Sequence, residues 1–343
     1  MCQFDASKRF ASSQFKTKLP LYCQLISTFF HGFWCYYFIK VLNLKIVGAA
    51  ISLNITNLTN LLLLDCWMSF SGDFKETLVK YDCRSFTDWG AYMDVGIFGA
   101  LLECLGWWNL DICFLFSGYL GVESIATQVV VMQIKNFTNM IPTGVAFAAS
   151  GLVGNCIGMK QVQRGKDYAK VSVLCSMIAT SIILLIFQLC SESLAKIFTD
   201  DPKIVSNTKK CLWSLFLYIF FSTIKGVQNG VVRALGQQKR NTLLTLIFAY
   251  IVGVPCGFLL CFKLNMALQG IWLGISLANA LLVFAIHKLI ENTNWERIAN
   301  PITRVERDFS ALNENLIFEE NSDEENSYTS KERSSMNSYE SAR

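Results

Sequence analysis

The stretch LLECLGWWNLDICFLFSG, residues 101–118, combines a long apolar run with two acidic side chains, Glu103 and Asp111. A helix needs about 20 mostly apolar residues to cross the hydrocarbon core of a bilayer, and the surrounding run 94–119 is long enough. Carboxylates are rare at such depth because hydrocarbon gives them no hydrogen-bond partner, and they usually mark a functional site. The stretch therefore predicts a membrane helix with a functional acid.

Further apolar runs of similar length lie on both sides of this one. They are 21–39, 46–69, 122–150, 171–190, 211–232, 242–262 and 267–290. Only 16% of the 343 residues are charged, whereas an average soluble protein has about 25%. The sequence therefore predicts an all-α polytopic membrane protein with about eight transmembrane helices, and not an enzyme.

The cysteines and the net charge indicate which ligands are not expected. Thirteen cysteines are scattered along the chain, mostly inside apolar runs, and no C-x-x-C pair occurs. Buried cysteine behaves as a small apolar residue, so we expect neither a metal site nor a cofactor. The net charge of +4 comes from short loops between the apolar runs, so nucleic acid is not an expected partner.

The basic residues are unevenly divided between the two sets of loops. If the N-terminus is cytosolic, fourteen lysines and arginines fall on the cytosolic side and seven on the other. The positive-inside rule therefore predicts cytosolic N- and C-termini. From residue 291 the sequence is rich in Ser, Glu and Asn without a periodic apolar face, which predicts a disordered cytosolic tail.

Two parts of the sequence resemble each other. RFASSQ (9–14) and RALGQQ (233–238) share Arg and Gln at the same spacing, and the segments 42–64 and 264–286 both begin with Leu-Asn and have Gly six residues after that Leu. Internal repeats of this kind are common in secondary transporters. The repeat predicts a twelve-span architecture without its first four helices.

This repeat gives the expected domain organisation. The segments are a cytosolic N-terminal segment (1–20), two helices of a partial first lobe (21–69), a cytosolic linker (70–89), a six-helix second lobe (90–290) and the tail (291–343).

The stretch NMIPTGVAFAASGLVGNCIG, residues 139–158, resembles the eighth-helix signature of the multidrug and toxin compound extrusion (MATE) family. Its helix-kink and packing motif consists of Pro142, Gly144, Gly154, Asn155 and Gly158. Other family-like segments follow the family order: WW (107–108), IFTDDP (197–202), GVQNGVVRALGQQ (226–238), YIVGVPCGFLL (250–260) and GIWLGIS (270–276).

The resemblance implies a secondary active antiporter that exports organic solutes or xenobiotics in exchange for H⁺ or Na⁺. Organic cations are among the expected solutes, and the two lobes would face each other across a central cavity. The plasma membrane or an internal acidic compartment is the expected location. Three alternatives stay open: a non-transporting or degenerate MATE-like subunit, a lipid flippase of related architecture, and, less in keeping with the repeat, a receptor-like bundle.

The resemblance also singles out acids of helix seven. Where the family usually has Leu-Glu-Trp-Trp, this chain has Leu-Gly-Trp-Trp, so Gly106 replaces the first acid. Asp111 stands at the second acid position. Glu103 lies three residues before Gly106 and projects from a neighbouring part of the same helix face, so we expect it to bind the coupling proton or to pair with a lysine.

Helices eight and ten complete the expected cavity. Ser222 stands where helix ten of the family has an acid, and Lys225 is close by; in helix eight, Gln133 occupies a position at which animal members often have Glu, near Lys135. We expect a Glu103–Lys225 pair across helices seven and ten. The predicted coupling or cavity residues are Glu103, Asp111, Gln133, Lys225, Trp107 and Trp108, the two tryptophans either stacking on a cation or packing at the membrane interface.

Overall fold

The computed structural model describes residues 2–14, 16–71, 74 and 89–300, and in these ranges it contains helices and no strand. The helices are α1 (Cys2–Ser13), α2 (Lys18–Cys35), α3 (Lys45–Phe70), α4 (Trp89–Tyr119), α5 (Val122–Gly158), α6 (Val162–Leu189), α7 (Ser191–Lys196), α8 (Pro202–Ala234), α9 (Gln238–Thr245), α10 (Val254–Phe258), α11 (Ala267–Glu291) and α12 (Trp295–Ala299). Three π-helical segments, Tyr36–Val41, Leu246–Gly253 and Leu259–Lys263, continue α2, α9 and α10.

Seven helices in the described ranges are long and apolar enough to cross a membrane, the stretch Gln238–Lys263 counting as one. This confirms the all-α membrane fold. The predicted span 21–39 forms α2 and its π-helical continuation but is not one of the seven. Gln24, His31 and its many Tyr and Trp side chains make it less apolar than the others.

The main hydrophobic core joins α5, α8 and α11. Trp272 is fully buried, and its ring lies 4.9 Å from that of Tyr218 in a T-shaped arrangement. Its indole N–H donates a 3.0 Å hydrogen bond to Gln128 Oε1. Helices in a bilayer associate through close packing and interhelical hydrogen bonds, and this cluster supplies both.

The hairpin turns at the two copies of the internal repeat have the same conformation. Asn43 and Lys45 have φ angles of 56° and 48°, and Asn265 and Ala267 have φ angles of 54° and 49°. A π-helical segment ends just before each turn. Residues other than glycine seldom have positive φ, so two such pairs at equivalent positions confirm the repeat.

The shared glycine of the repeat explains why each hairpin can close tightly. A Cβ atom on Gly48 would lie 2.7 Å from the Phe38 carbonyl oxygen, and one on Gly270 would lie 2.8 Å from the Leu260 carbonyl oxygen. Both contacts are with backbone, which cannot move aside as a side chain would. The glycine is therefore required by helix spacing in both copies.

The folded part of the chain continues beyond the predicted boundary at residue 291. Asn294 Oδ1 accepts a 3.0 Å hydrogen bond from the Arg297 backbone N–H and begins α12, in which Trp295 is only 4% exposed. The prediction of disorder is therefore wrong for residues 294–299. The polar composition of this segment predicts a tail, whereas a single buried tryptophan, Trp295, holds it against the fold. The rest of the predicted tail, 301–343, and most of the linker lie outside the described residues.

Candidate functional site

A polar cavity of about 320 Å³ lies between α4, α5 and α8, with α1 at its edge. Its charged lining consists of Arg9, Glu103, Lys135, Lys225 and Arg233. A larger groove of about 460 Å³, between α6, α8, α11 and α12, is mostly apolar. We take the polar cavity as the candidate site, because ionisable groups within membrane helices are costly and usually functional.

Two hydrogen bonds from the 238–263 helix hold α4 beside the cavity. The Thr242 hydroxyl donates to the Phe98 carbonyl at 2.9 Å, and the Tyr250 hydroxyl donates to the Leu105 carbonyl at 2.8 Å. Glu103 lies between these two attachment points. Its backbone position is therefore fixed from the far side of α4, while its side chain remains 65% exposed.

The opposite wall of the cavity is formed where α5 and α8 cross. A Cβ atom on Gly230 would lie 2.3 Å from the Ala146 carbonyl oxygen, so only glycine allows this approach. Pro142 is buried in the same part of α5 and lines the cavity. Proline has no N–H and removes one intrahelical hydrogen bond, which gives α5 a weak point beside the site.

Glu103 is paired with an arginine and not with the predicted lysine. Its Oε1 lies 3.6 Å from a terminal guanidinium nitrogen of Arg233. The Lys225 ammonium instead donates a 2.8 Å hydrogen bond to Asn279 Oδ1 on α11. The prediction of a Glu103–Lys225 pair is therefore wrong: spacing along α8 does not reveal that Arg233, two turns further on, is the closer cation.

Lys135 is the most deeply buried cation of the cavity, at 7% exposure. Its ammonium donates a 3.2 Å hydrogen bond to Asn136 Oδ1 and lies 5.5 Å from the centre of the Trp107 ring. This distance is within the range of a cation–π contact. The chain's own lysine therefore occupies a face of the tryptophan that was predicted to stack on a solute.

The two repeat-related arginines meet at one ring. The guanidinium carbon of Arg9 lies 4.8 Å from the centre of the Phe147 ring, and that of Arg233 lies 5.8 Å from it. Neither arginine is among the predicted site residues. The signal is nevertheless present in the sequence, because both are the first residue of the repeated R-x-x-x-x-Q segment.

The structure brings only part of the predicted site together. Glu103, Trp107 and Lys225 line the cavity, whereas Asp111, Gln133 and Trp108 are exposed and are not part of its lining. Helix geometry explains why Trp108 and Gln133 are outside the lining, because neighbours on a helix are turned by about 100° and residues two apart by about 200°. Trp108 and Gln133 thus point away from the faces that present Trp107 and Lys135.

The predicted packing motif of α5 has mixed outcomes. Asn155 Nδ2 donates hydrogen bonds to the carbonyls of Ser13 in α1, at 3.2 Å, and of Gly151, at 2.9 Å. A Cβ on Gly154 would just touch Ala234, at 4.0 Å. Close packing is not found at Gly144 or Gly158, where a Cβ would meet no described atom within 4 Å.

Comparison with known proteins gives one consistent family. The MatE family model matches residues 100–259. Multidrug and toxin extrusion protein 1 of Danio rerio is 28% identical over 266 residues, 76% of this chain and 44% of that protein. Protein DETOXIFICATION 16 of Arabidopsis thaliana is 28% identical over 298 residues, 86% of this chain and 61% of its own length. The chain thus spans about half the length of the curated relatives it matches.

Solved structures have the same fold. The eukaryotic MATE transporter AtDTX14 superposes with a TM-score of 0.82 at 23% identity, covering 87% of this chain and 67% of that one. A MOP superfamily transporter from Pyrococcus furiosus, described as having a binding pocket of reverse polarity, gives a TM-score of 0.69 at 16% identity over 82% of this chain and 61% of that one. With the family model, the relatives and the fold in agreement, this chain is a multi-pass integral membrane protein that has the MATE fold and is similar in sequence to members of the MATE family.

Proposed function

We propose that this chain acts as a secondary active antiporter, which exports organic solutes in exchange for protons by alternating access. The observation that carries the proposal is the polar cavity, in which Glu103 and Arg233 form an ion pair between α4 and α8. Transporters commonly bind solute and coupling ion at such interior sites. Among the described residues Glu103 is the only carboxylate that lines the cavity.

The Glu103–Arg233 pair suggests how a proton would change the cavity. A proton that enters from one side binds the Glu103 carboxylate, neutralises it and removes its attraction for Arg233. When the cavity opens to the other side, Glu103 releases this proton to water and the ion pair forms again. The contact between α4 and α8 thereby depends on proton binding, which is the kind of two-state element that alternating access needs.

Transport by the purified full chain in proteoliposomes tests this proposal. Two naphthalene probes of opposite permanent charge, naphthalene-2-sulfonate and trimethyl(2-naphthyl)ammonium, would be loaded inside. An inward proton gradient is expected to accelerate the efflux of at least one probe, and a protonophore should abolish the acceleration. Efflux at the rate of protein-free vesicles, with or without the gradient, would contradict transport and favour a non-transporting subunit.

We also propose that the termini are cytosolic, which predicts which turns are reachable from outside. Single cysteines would be introduced into a cysteine-free variant in intact cells. A thiol at Lys160, in the turn between α5 and α6, should resist a membrane-impermeant reagent, whereas one at Asn265, in the turn before α11, should react. The opposite labelling pattern would reverse the orientation. Labelling after permeabilisation controls for thiols that are buried by packing.

A further inference from the structure

We propose that the polar cavity binds organic anions, holding a carboxylate, sulfonate or phosphate group between Lys135, Lys225 and Arg233. The inference rests on the proposed function only in taking this cavity as the solute site. It differs from the expectation of an organic cation, and four observations support it.

The first observation is the balance of charge. Four cationic side chains line the cavity, those of Arg9, Lys135, Lys225 and Arg233. Among the described lining residues, Glu103 is the only one with a carboxylate. A cleft lined by one sign of charge with low-dielectric walls attracts ligands of the opposite sign. An anion is therefore favoured over a cation of the same size and shape.

The second observation is that the two lysines have neutral partners. The Lys225 ammonium is bonded to an amide oxygen of Asn279 at 2.8 Å, and that of Lys135 to an amide oxygen of Asn136 at 3.2 Å. Neither lysine forms a salt bridge with a described carboxylate. Buried charges are normally paired, so an anionic ligand would supply the countercharge that the described part of the chain does not provide.

The third observation concerns the aromatic rings that a cationic solute would use. Lys135 lies over Trp107, and both Arg9 and Arg233 lie over Phe147. A cationic solute would have to displace these cations or approach them closely. For an anion the same arrangement is favourable, because the rings hold the cations in place while leaving their remaining N–H groups for oxygen acceptors.

Arg233 also has unused bonding capacity. Its Nε is buried and has no hydrogen-bond partner among the described atoms, and its contact with Glu103 is 3.6 Å long. Charge-assisted hydrogen bonds are usually about 2.7–2.9 Å long. The guanidinium can therefore donate hydrogen bonds to an oxyanion that lies closer than Glu103 does. Glu103 and that oxyanion would compete for the Arg233 side chain.

The charge of the solute has a consequence for the proposed exchange. A cation could compete with the proton directly for Glu103, but an anion would not bind to this carboxylate. Protonation of Glu103 would also free Arg233 for an anion. Proton and anion are therefore not kept apart by a shared atom, and their exchange must come from the alternating conformations of the protein.

Equilibrium dialysis of the two naphthalene probes against the purified full chain, without any gradient, tests the inference. The sulfonate should bind at least about tenfold more tightly than the ammonium probe, since one charge-assisted hydrogen bond suffices for this difference. Lys225→Met should lower sulfonate affinity about tenfold and Lys225→Arg should largely preserve it. The matched control Lys288→Met, at an exposed lysine near the end of α11 outside the cavity, should leave it unchanged.

Gly106→Glu provides a test in the opposite direction. Gly106 lines the cavity, and a Cβ atom added to it would meet no described atom within 4 Å, so a side chain can start there without a clash, and a glutamate adds a second carboxylate. This variant should weaken sulfonate binding and strengthen ammonium binding. Equal or tighter binding of the ammonium probe by the unmodified chain would overturn the inference without involving any variant.

The two proposals can fail separately. Selective sulfonate binding without gradient-driven efflux would contradict the proposed antiport alone. Gradient-driven efflux of the ammonium probe, with no efflux of the sulfonate, would contradict anion recognition alone. Equal loss of sulfonate affinity in Lys225→Met and Lys288→Met would likewise overturn the assignment of Lys225 to the anion site.

Discussion

Gly230→Ala should destabilise the protein by about 3 kcal/mol although it adds only one methyl group. The new Cβ would lie 2.3 Å from the Ala146 carbonyl oxygen, where α5 and α8 cross beside the cavity. The obstacle is backbone, so the two helices must separate, and the cavity wall that they form must change. The thermal unfolding midpoint of the purified protein measures this effect.

Gly144→Ala is the matched control for that substitution. Gly144 also lies inside a long helix, but its Cβ would meet no described atom within 4 Å. Alanine is a better helix former than glycine by about 1 kcal/mol, so this variant should be as stable as the original chain or more stable. Similar destabilisation by both variants would contradict the tight α5–α8 crossing.

Glu103→Gln should reduce proton-driven exchange about a hundredfold, the lower range of effects seen when an essential proton-transfer group is removed. Glutamine keeps the size of the side chain but cannot bind and release a proton. The measurement is efflux in proteoliposomes with and without a pH gradient. Asp111→Asn is the matched control, because this acid of the same helix is not part of the cavity lining, and it should leave exchange intact.

The same Glu103→Gln variant should bind naphthalene-2-sulfonate more tightly than the original chain, because Arg233 loses the carboxylate that competes with an anion. A misfolded variant would lose both sulfonate binding and exchange. Tighter sulfonate binding together with a loss of exchange would therefore indicate a defect in proton coupling. Normal exchange by the glutamine variant would instead remove Glu103 from the mechanism, and a defect in Asp111→Asn would transfer the role to Asp111.

The features that the sequence predicts correctly are those that depend on local composition. Apolar length identifies the membrane helices, and the repeated Leu-Asn and Gly identify two hairpins with the same positive-φ turns. Helix α5 needs two signals, because its apolar run predicts a span over 122–150 and the family-like stretch 139–158 predicts the helical part that ends at Gly158. Asn155 in this part of the helix donates a hydrogen bond to the Ser13 carbonyl of α1.

The contacts within the cavity are harder to predict, since they depend on how distant helices cross. The sequence singles out Glu103, which lies in the cavity lining, but its partner Arg233 lies four helices further along the chain, at the end of α8. Lys225 donates its hydrogen bond to Asn279 on another helix, α11. A count of acids and bases along each helix gives the net charge of the cavity lining. Which atoms form ion pairs and hydrogen bonds depends on how the helices pack.

The contacts that Phe147 and Asn155 make with α1 bear on how readily α1 can move away from α5. Helix α1 lies in the N-terminal segment that is predicted to precede the first lobe, and α5 lies in the predicted second lobe. Arg9 reaches across through a ring contact, worth about 0.5–1 kcal/mol at an exposed position, and Ser13 through one exposed hydrogen bond. These are small energies beside the stability of a folded domain. Thermal motion alone can therefore break these contacts between α1 and α5, while Arg233 of α8 remains in contact with Phe147.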